Sequence, residues 1–448
     1  MFLYYTLVII LLSLAGPALL LSTKRRAGLL QKLGAIPAAV STWSKAGPRP
    51  VWFHAVSVGE FNAVWPLIKA FHQKYPHQRI AISTSTATGQ KLAQERAGGM
   101  ATVFYFPLDL PWALNAWLQA INPALVVIVE TEIWPGFIHE CSRRAVPVVV
   151  ANGRISPRSF RWYRALRWFF RPFLRSLKAI AAQSEADADR YRAIAGGDLP
   201  VVVLGNLKFD GLTPISEAER ESLRQSLGIV PEQDVIVAGS THEGEESAVL
   251  EAFAHLLKGR LAHPVSGPAA SQLRLILAPR HPERFDQVQA LIESCGFRVR
   301  RYSRKERFEQ EQDVLLIDTI GDLFPIYSLA SVAFVGGTLA AIGGHNILEP
   351  YAYGTPVVCG PSLEKTREAA QGLTQADALR IALNTAELHD RLSELISSSA
   401  VRRQLGVRGR QWLSQSQGAV GKTVAFLDSH LPTPYNTGRP EGKGALIK

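Results

Sequence analysis

Cysteine is scarce in this sequence: Cys141, Cys295 and Cys359 are the three in a chain of 448 residues. They lie far apart and without ligand-like spacing, which excludes a disulfide framework and a zinc site and indicates a reducing compartment. Neither half of the chain carries the G-x-G-x-x-G fingerprint of dinucleotide binding after its first strand. The sequence therefore predicts no metal and no cofactor.

Charge is absent from the segment Phe2–Ser22, which is almost entirely apolar. A run of about 20 such residues is long enough to span a bilayer as a helix. Basic residues follow this run, at positions 24–26, whereas a signal peptide has its positive charge before the run. We therefore predict an N-terminal membrane anchor over residues 1–23, with the following domains on the cytoplasmic side. Gly16-Pro17 leaves a shallow interfacial anchor as the alternative.

Acidic residues are outnumbered by basic ones, 38 against 49, and the net charge is +11. An excess of this size implies an anionic partner, which is nucleic acid, an acidic membrane surface or a phosphorylated substrate. A hydrophobic content of 47% with 35 glycines is typical of a globular α/β protein and excludes a disordered chain. The length suits two domains, each with its own core.

Strand-like and helical patterns alternate along most of the chain, which predicts parallel sheets covered by helices on both faces. The polar stretch from Thr213 to Asp234 interrupts this pattern and indicates the joint between two Rossmann-like domains. We expect these domains to face a cleft, with ligands at the carboxyl ends of the strands. The tail from Asp377 to Ser429 is helical by pattern. The predicted segments are an anchor (1–23), a linker (24–50), an N-terminal domain (51–212), a C-terminal domain (213–430) and a flexible tail (431–448).

The stretch from Phe334 to Pro350, FVGGTLAAIGGHNILEP, combines two glycine pairs with a polar cluster. Glycines after a strand let the backbone turn with positive φ and approach a ligand. Asn346 and Glu349 share a face if they lie on a helix, and a turn that opens a helix offers free N–H groups to an anion. We interpret the stretch as a site for the phosphate and sugar of a nucleotide sugar. A glycine-rich turn with a helix cap is the alternative.

Charged side chains follow the strands of the first half. Glu60 comes after the first strand and opens an apolar helix, where it either complements the helix dipole or acts as a general base. Glu130 and Glu132 end the fourth strand, where two carboxylates are costly unless they contact a ligand, a basic side chain or water. Lys208 follows the last strand and either meets an anionic group or is an ordinary surface lysine.

Polar turns also follow the strands of the second half. The segment Gly239–Glu243 suits a phosphate, or is a plain capping box with Ser240 as the cap and Glu243 three residues on. Arg280 is placed for a bidentate contact with phosphate. Gly321-Asp322-Leu323 opens another helix and can bring its backbone to a base or a ribose. Such turns recur at so many strand ends that we predict one ligand site along this edge.

Arginines recur every three or four residues between Gly153 and Leu177, and on a helix they form one basic stripe. The stripe is interleaved with aromatic residues, a pattern typical of a membrane-surface helix. Nucleic acid binding and a buried helix with a solvated face are the alternatives, and the apolar N-terminus favours acidic lipid. Pro172 is the expected position of a kink or a break. The arginines are Arg154, Arg158, Arg161, Arg164, Arg167, Arg171 and Arg175.

Six motifs, in this order, resemble those of the 3-deoxy-D-manno-octulosonic acid (Kdo) transferase family. They are HAVSVGE (54–60), ETEIWP (130–135), GNLKFD (205–210), GSTHEGEE (239–246), PRHPERF (279–285) and VGGTLAAIGGHNILEP (335–350). The resemblance implies a GT-B fold with an N-terminal acceptor domain and a C-terminal CMP-sugar donor domain. It further implies an inverting glycosyltransferase of the bacterial inner membrane, which moves Kdo from CMP-Kdo to the lipid A precursor (lipid IVA) in lipopolysaccharide synthesis.

The same similarity assigns roles to single residues. It implies that Glu60 is the catalytic base and that Glu130 and Lys208 stabilise the transition state. The implied partners are CMP-Kdo, the lipid A precursor and an anionic membrane surface, and not nucleic acid. Thr338, Ile347 and Asp322 depart from the residues common in the family, which are serine, proline and glutamate. The residues implied to hold CMP are Pro279, Arg280, His281, Gly321, Asp322, Leu323, Asn346, Ile347, Leu348 and Glu349.

Two other functions fit the same pattern. One is a different membrane-associated GT-B transferase that uses a UDP-sugar and a lipid acceptor, and thermal protection by CMP rather than UDP distinguishes the two. The other is a membrane-tethered binding module without catalysis, which would release no CMP from CMP-Kdo.

Overall fold

The structure is a computed structural model that describes residues 1–21, 28–38, 40–41, 47–262, 273–309 and 312–432. The chain divides into two compact units. Unit 1 begins at Met1, ends at Gly211 and resumes at Ser416, whereas unit 2 covers Leu212–Gln415. In each unit the described strands form one parallel sheet of seven strands. Two parallel-sheet α/β domains were predicted, and this part of the fold class is confirmed.

The sheet of unit 1 has the strand order β3-β2-β1-β4-β5-β6-β7. Every residue of its fourth strand, LVVIV, is buried, as expected for a strand covered by helices on both faces. The first strand pairs with the second and the fourth, so the order of the strands reverses beside it. The strands are β1 Val51–His54, β2 Ile80–Thr84, β3 Ala101–Tyr105, β4 Leu125–Val129, β5 Val148–Gly153, β6 Ala179–Ala182 and β7 Val201–Val203.

Helices connect these strands. Side-chain caps fix the start of several of them, and Ser57, Thr86 and Ser184 each accept a backbone N–H three residues on. The helices of unit 1 up to residue 211 are α1 Phe2–Leu21, α2 Leu29–Lys32, α3 Val58–Lys74, α4 Ala87–Ala97, α5 Pro111–Ile121, α6 Pro135–Arg143, α7 Pro157–Ala165, α8 Arg167–Ser176, α9 Glu185–Ala195 and α10 Leu207–Asp210.

The sheet of unit 2 has the strand order β10-β11-β9-β8-β12-β13-β14. Its first strand in the sequence, β8, pairs with β9 on one side and β12 on the other. The carboxyl ends of these three strands therefore lie side by side. The strands are β8 Asp234–Thr241, β9 Leu273–Pro279, β10 Arg298–Arg301, β11 Asp313–Leu316, β12 Val332–Val335, β13 Val357–Cys359 and β14 Leu379–Ile381.

Helices and short 3₁₀ turns cover this second sheet. A capping box opens the first helix, because Ser216 and Glu219 each accept from the other's backbone N–H. The 3₁₀ turns are Pro282–Arg284, Tyr302–Arg304, Tyr327–Leu329 and Glu364–Thr366. The helices are α11 Glu217–Ser226, α12 Glu245–Ala262, α13 Phe285–Ser294, α14 Leu323–Ile326, α15 Glu349–Ala352, α16 Arg367–Gln375, α17 Thr385–Ser397 and α18 Ser399–Ser416.

The two edge strands of unit 2 were not predicted. Strand β10 reads Arg-Val-Arg-Arg and is partly exposed, and β14 has three residues within the tail that we interpreted as helical. Edge strands are short and tolerate charge because one side lacks a neighbouring strand. The helical interpretation of the segment from Asp377 is therefore wrong at Leu379–Ile381.

The last helix, α19 Ala419–Asp428, belongs to unit 1. Asp210, at the end of α10, accepts hydrogen bonds from the N–H groups of Gly418 and Val420 at 2.9 and 2.6 Å. Val424 and Leu427 are buried in the core of unit 1. The predicted C-terminal domain, 213–430, therefore runs about one helix too far, since a helix pattern does not reveal the sheet on which the helix packs.

The arginine-rich segment forms two helices rather than one. Helix α7 ends at Leu166, whose backbone is at φ −100° and ψ 24°, and α8 begins at the next residue. Pro172, the expected position of the break, lies inside α8. The predicted single basic stripe is therefore divided between two helices.

The N-terminal segment forms helix α1 over residues 2–21. Within the part of the chain that the structure describes, no helix satisfies the length and apolarity that crossing a membrane requires. The basic residues at 24–26, residues 42–46 of the linker and the tail from residue 433 lie outside the described residues.

Candidate functional site

Glu60 lies in the first turn of α3, directly after strand β1. Ser57 is the helix N-cap, and its Oγ accepts the N–H of Glu60 at 3.4 Å. The Oε2 atom of Glu60 in turn accepts the N–H of Val56 at 2.7 Å. One carboxylate oxygen of Glu60 therefore helps to fix the turn between β1 and α3.

The pKa of Glu60 is raised from its ordinary value of 4.5 to about 7. Burial is the main cause, and the nearby negative charges of Glu132 and Glu130 raise the pKa further, whereas the Val56 N–H and Ser57 lower it. The pKa of Glu132 is also raised by burial and by Glu130. A carboxyl with a pKa near neutral pH can both lose and accept a proton under physiological conditions, as a general base requires.

Glu130 occupies a strained position at the end of β4. Its φ of 60° is in the left-handed region that non-glycine residues rarely adopt. The backbone is held on both sides, because its N–H donates to the carbonyl of Ala151 and its own carbonyl accepts from the hydroxyl of Tyr191 at 3.1 Å. These two hydrogen bonds therefore hold the backbone of Glu130 in this conformation.

Lys208 pairs with Glu130. Its Nζ lies 2.7 Å from Oε1 of Glu130. Lys208 lies in the short helix α10, and two side chains hold the first turn of this helix. Asn206 accepts the N–H of Lys208, and Asn152 accepts the N–H of Leu207. The structure thus brings together Glu60, Glu130 and Lys208 at the carboxyl edge of the first sheet, where β1 and β4 adjoin and ligands of open α/β sheets bind.

In unit 2, the glycine turn after β12 does not offer its N–H groups to an anion. Glu245, 1% exposed, inserts its carboxylate into this turn from the start of α12. Its two oxygens accept five backbone N–H groups at 2.7–3.1 Å, those of His242, Gly337, Thr338, Leu339 and Ala340. The N–H of Gly336 donates to the carbonyl of Gly239, so the N–H groups at 336–340 are satisfied within the protein and are not open to a phosphate. For the rest of the stretch up to Pro350, the phosphate and sugar site stays a prediction.

The predicted capping box at Ser240 is also wrong. Strand β8 continues through Thr241, and Ser240 lies within it at φ 57°. Helix α12 begins only at Glu245. The neighbouring Glu246, completely buried, forms a bidentate ion pair with Arg284 at 2.8 and 3.1 Å. Glu245 and Glu246 of this motif therefore stabilise the turn through side-chain contacts, and the expected capping box is not formed.

Arg280 and His281 follow β9, next to the end of β8. The N–H of Arg280 donates to the carbonyl of Thr241 at 3.0 Å, while the Arg280 side chain is exposed. His281 is half-exposed, with Nδ1 at 3.6 Å from Glu283. Pro279 is the last, buried residue of the strand. The exposed guanidinium is thus available to an anionic ligand at this edge.

The turn Gly321–Leu323 opens helix α14, as predicted. Gly321 has a φ of 102°, and space is open where a side chain would project from it. Asp322 precedes the first helical residue without capping it through its side chain. The turn therefore presents backbone at an uncrowded surface, consistent with close approach of a ligand.

Asn346 and Glu349 contact each other, although Asn346 precedes α15 instead of lying on it. The Nδ2 atom of Asn346 donates to Oε1 of Glu349 at 3.2 Å, and its Oδ1 accepts the N–H of Leu348. Burial raises the pKa of Glu349 to about 7. Ile347 and Leu348 are 0% and 3% exposed, so these two can offer only backbone groups to a ligand.

A pair of histidines lies at the same edge of the second sheet, and the sequence did not reveal that the two are in contact. The Nε2 atoms of His242 and His345 are 2.8 Å apart, and the rings are nearly parallel, at 3°. Gly337 makes room for this pair, because a Cβ at its φ of 69° would lie 2.8 Å from the His345 ring. Both histidines stand in motifs that had been singled out, yet two residues 103 positions apart give no sign of contact in a single sequence. Among the residues that the structure describes, no group of His, Cys, Asp and Glu side chains is arranged to hold a metal ion.

The arginine-rich helices α7 and α8 expose large apolar side chains beside their basic ones. Trp162 and Trp168 are 69% and 72% exposed. Helix α1 packs beside them, because the ring of Tyr4 lies 5.8 Å from that of Phe169 and the hydroxyl of Tyr4 donates to Asp109. Leu11 of α1 is 64% exposed. This basic and apolar surface is of the kind that meets a lipid interface.

Solved structures with two units of this kind define the class of fold. The UDP-GlcNAc 2-epimerase of Neisseria meningitidis bound to UDP-GlcNAc is 13% identical, with a TM-score of 0.55 over 85% of this chain and 99% of that chain. A glycosyltransferase of Rickettsia africae is 12% identical, with a TM-score of 0.55 over 86% and 100%. At such identities the likeness shows the fold alone, which is GT-B-like.

Sequence similarity gives the family. Residues 23–211 match the family described as 3-Deoxy-D-manno-octulosonic-acid transferase (kdotransferase). The 3-deoxy-D-manno-octulosonic acid transferase of Haemophilus influenzae is 33% identical over 389 residues, 86% of this chain and 88% of the relative. That of Bordetella pertussis is 32% identical over 407 residues, 88% and 92% of the two chains. The chain therefore belongs to the Kdo transferase family and is a glycosyltransferase, as the six motifs predicted.

Proposed function

We propose that this protein transfers Kdo from CMP-Kdo to the lipid A precursor, as a step of lipopolysaccharide synthesis. Family membership supports the sugar, since the relatives are named for Kdo transfer. The observation that carries the proposal is the carboxyl edge of unit 1. There the Glu60 carboxyl, with a pKa of about 7, stands within electrostatic reach of the carboxylate of the Glu130–Lys208 ion pair.

Glu60 is the general base in this proposal. Its Oε1 atom, which Val56 does not engage and which accepts a long hydrogen bond of 3.4 Å from the Ser57 hydroxyl, takes up the proton of the acceptor hydroxyl. The hydroxyl oxygen then bonds to the anomeric carbon of Kdo from the face opposite CMP. The bond from that carbon to the phosphate oxygen breaks, the electron pair stays with CMP, and the configuration inverts. A pKa near the working pH makes a carboxylate effective in such a transfer.

Lys208 supplies positive charge beside this base. Because the Kdo donor carries a carboxylate of its own, an edge that held only Glu60, Glu130 and Glu132 would repel it. The Lys208 ammonium offsets that repulsion, and its ion pair with the Glu130 carboxylate holds it at this edge of the sheet.

The donor nucleotide is assigned to unit 2. The exposed guanidinium of Arg280 suits the single phosphate of CMP, and His281 and Pro279 flank it. The open backbone at Gly321–Leu323 and the Asn346–Glu349 hydrogen bond suit the base and the ribose. The predicted roles of Ile347 and Leu348 are restricted to their backbone groups, because their side chains are buried. The cleft predicted between the domains stays a prediction.

The acceptor is a lipid, and we assign the surface of α1, α7 and α8 to a membrane. Exposed tryptophans prefer the headgroup region, and exposed arginines are attracted to anionic lipid. The arrangement supports attachment at the inner face of the bacterial plasma membrane, with α1 as the anchor. The predicted membrane localisation thus becomes part of this proposal, whether α1 enters the bilayer deeply or lies at its interface.

Mass spectrometry of the product tests the proposal. Incubation of the full-length protein with CMP-Kdo and tetraacylated lipid A precursor is expected to give CMP and a lipid heavier by whole Kdo units. Thermal unfolding in the presence of CMP or UDP identifies the donor, and we expect CMP to raise the unfolding temperature more. Protection by UDP alone would favour a UDP-sugar enzyme, and CMP binding without CMP release from CMP-Kdo would favour a binding module.

A further inference from the structure

The histidine pair of unit 2 lies among groups that recognise anions. His242 follows β8, Arg280 follows β9, and His345 comes from the loop after β12, so all three stand at adjoining strand ends. The ring of His281 is 5.1 Å from that of His242. Lys365, in the 3₁₀ turn Glu364–Thr366, lies against the loop that carries His345, since its N–H donates to the carbonyl of Gly343 at 2.8 Å.

The Nε2–Nε2 contact limits how many protons the pair can hold. At 2.8 Å, one Nε2 must donate a hydrogen and the other must accept it, because two N–H groups facing each other would repel. The pair is therefore either neutral, with one Nδ1 atom unprotonated, or it carries a single positive charge, with both Nδ1 atoms protonated. Among the described residues, neither Nδ1 has a hydrogen-bond partner. Each can therefore meet a ligand.

Without a bound anion, the surroundings favour the neutral pair. Burial lowers the pKa of His345 to about 4, helped by the positive charges around it. Burial likewise lowers the pKa of His242, although Glu245 raises it. The carboxylate of Glu245 is already satisfied by five N–H groups, and that of Glu246 by Arg284. The charged and titratable groups that face the pair are Arg280, His281, Arg284, Lys365, Glu245 and Glu246.

We propose that the His242–His345 pair takes up one proton when the anionic donor binds and gives that proton to the phosphate of the departing CMP. This inference rests on the proposed function and extends it to the leaving group. The phosphodiester of the donor carries one negative charge. When the bond from the anomeric carbon to oxygen breaks, the released phosphate monoester gains a second, and its second pKa is about 6.

The proton balance closes through solvent. Glu60 receives the proton of the acceptor hydroxyl and later returns it to solvent, and the charged histidine pair, which took its proton from solvent when the donor bound, protonates the phosphate oxygen that leaves. The pair returns to the neutral state that its surroundings favour, and the monoprotonated CMP leaves the site. A leaving group that is protonated as it departs is a weaker base and leaves more readily.

Isothermal titration of CMP into the full-length protein tests the inference. At pH 7.5, in two buffers of different ionisation enthalpy such as HEPES and Tris, the difference in binding heat gives the number of protons taken up. We expect between about half a proton and one per CMP bound. Cytidine, which lacks the phosphate, is expected to bind with no proton uptake.

Variants locate the proton. The double variant His242→Gln/His345→Gln is expected to bind CMP with less than about a quarter of the wild-type uptake. The double variant His255→Gln/His389→Gln, which alters another pair of contacting histidine rings in unit 2, is the control for histidine content. This control should keep the wild-type uptake.

Several outcomes would overturn the inference. Equal binding heats for wild-type protein in both buffers would do so without any variant, even if the double variant failed to fold. Undiminished uptake by the His242/His345 variant would assign the proton elsewhere. These results would leave the proposed function standing, whereas failure of the wild-type protein to bind CMP would remove both.

Discussion

Lys208 and Glu130 form an ion pair in which the acid is the more buried partner. The Nζ–Oε1 distance is 2.7 Å, and the side chains are 41% and 12% exposed, respectively. Glu130 depends on this ammonium, because the buried carboxylate has a second carboxylate, Glu132, close by. Loss of the lysine would leave an uncompensated charge at a strained position of the backbone.

We therefore expect Lys208→Met to reduce both stability and turnover. The free energy of unfolding should fall by about 1–2 kcal/mol, a moderate loss because the ammonium is partly exposed. Turnover should fall by about 10²-fold or more if Lys208 stabilises the transition state. Urea denaturation and Kdo transfer assays measure the two effects. Lys91→Met is the control, because Lys91 pairs with Glu95 at 3.8 Å on an exposed helix face, and equal losses in both variants would contradict the prediction.

Glu60→Gln should abolish the base while it preserves the turn, because the amide oxygen can still accept the Val56 N–H. We expect turnover to fall by about 10²–10⁴-fold with CMP affinity unchanged. In the wild-type protein at saturating donor and acceptor, kcat should rise with pH as the Glu60 carboxyl ionises, near its pKa of about 7. Near-normal turnover of the variant would show that another group is the base.

Glu60 also predicts a pH-dependent stability. Its folded-state pKa, about 7, lies above the ordinary value of 4.5, so the folded protein favours the protonated form. The stability that this preference contributes is complete below pH 4.5 and is lost as pH rises through 7. Relative to wild-type protein, Glu60→Gln should therefore gain about 1–2 kcal/mol between pH 5 and pH 8.5. Urea unfolding of both proteins at the two pH values measures this gain, and a pH-independent difference would argue against a buried acid.

Glu245→Gln tests the carboxylate that holds the glycine turn. An amide has one oxygen for five N–H donors and places its own NH₂ against the others, so we expect the free energy of unfolding to fall by about 2–4 kcal/mol. CMP binding should weaken as well, because the turn carries His345 towards His242. Glu251→Gln, on the exposed face of α12, is the matched control and should stay within about 0.5 kcal/mol of wild type. If Glu245→Gln also changed the free energy of unfolding by no more than about 0.5 kcal/mol, the turn would not need the carboxylate.

Charge reversal of Arg161, Arg164 and Arg167 tests the surface of α7 and α8. We expect the triple glutamate variant to lose most of its binding to vesicles that contain anionic lipid, since each basic residue near such a surface contributes about 1 kcal/mol. Catalysis on a soluble acceptor should change little. Vesicle co-sedimentation and the transfer assay measure the two effects. The control is a variant in which the charges of the exposed Arg304, Arg403 and Arg410 of unit 2 are reversed. Equal loss of both activities would count against a membrane role.

The sequence allowed the core strands to be predicted closely, because a buried parallel strand is a continuous apolar run such as Leu125–Val129. The edge strands Arg298–Arg301 and Leu379–Ile381 could not be found this way. One carries three arginines and the other has three residues, so neither has the apolar run on which the prediction depends. The break at Leu166 was missed for a similar reason, since no glycine or proline marks it.

The candidate site was predictable where a single strand end presents a charged residue, as at Glu60 and Arg280. The site was not predictable where a side chain of one segment satisfies the backbone N–H groups of a segment far away in the sequence. Glu245 fills the glycine turn 92–95 residues away, and this contact reversed the expectation that the turn binds an anion. Glycine patterns show where the backbone can turn, but they do not show which group satisfies its N–H donors.

The return of α19 to the first sheet makes one half of the enzyme discontinuous in sequence. A recombinant fragment that ends at Gly211 would lack Val424 and Leu427, and their apolar neighbours on α3 would face water. Asp210 would lose the two amides that it binds. The segment Leu212–Gln415 is uninterrupted, so expression of an isolated half is better attempted with that segment. Unit 1 needs its distant C-terminal helix fused or co-expressed.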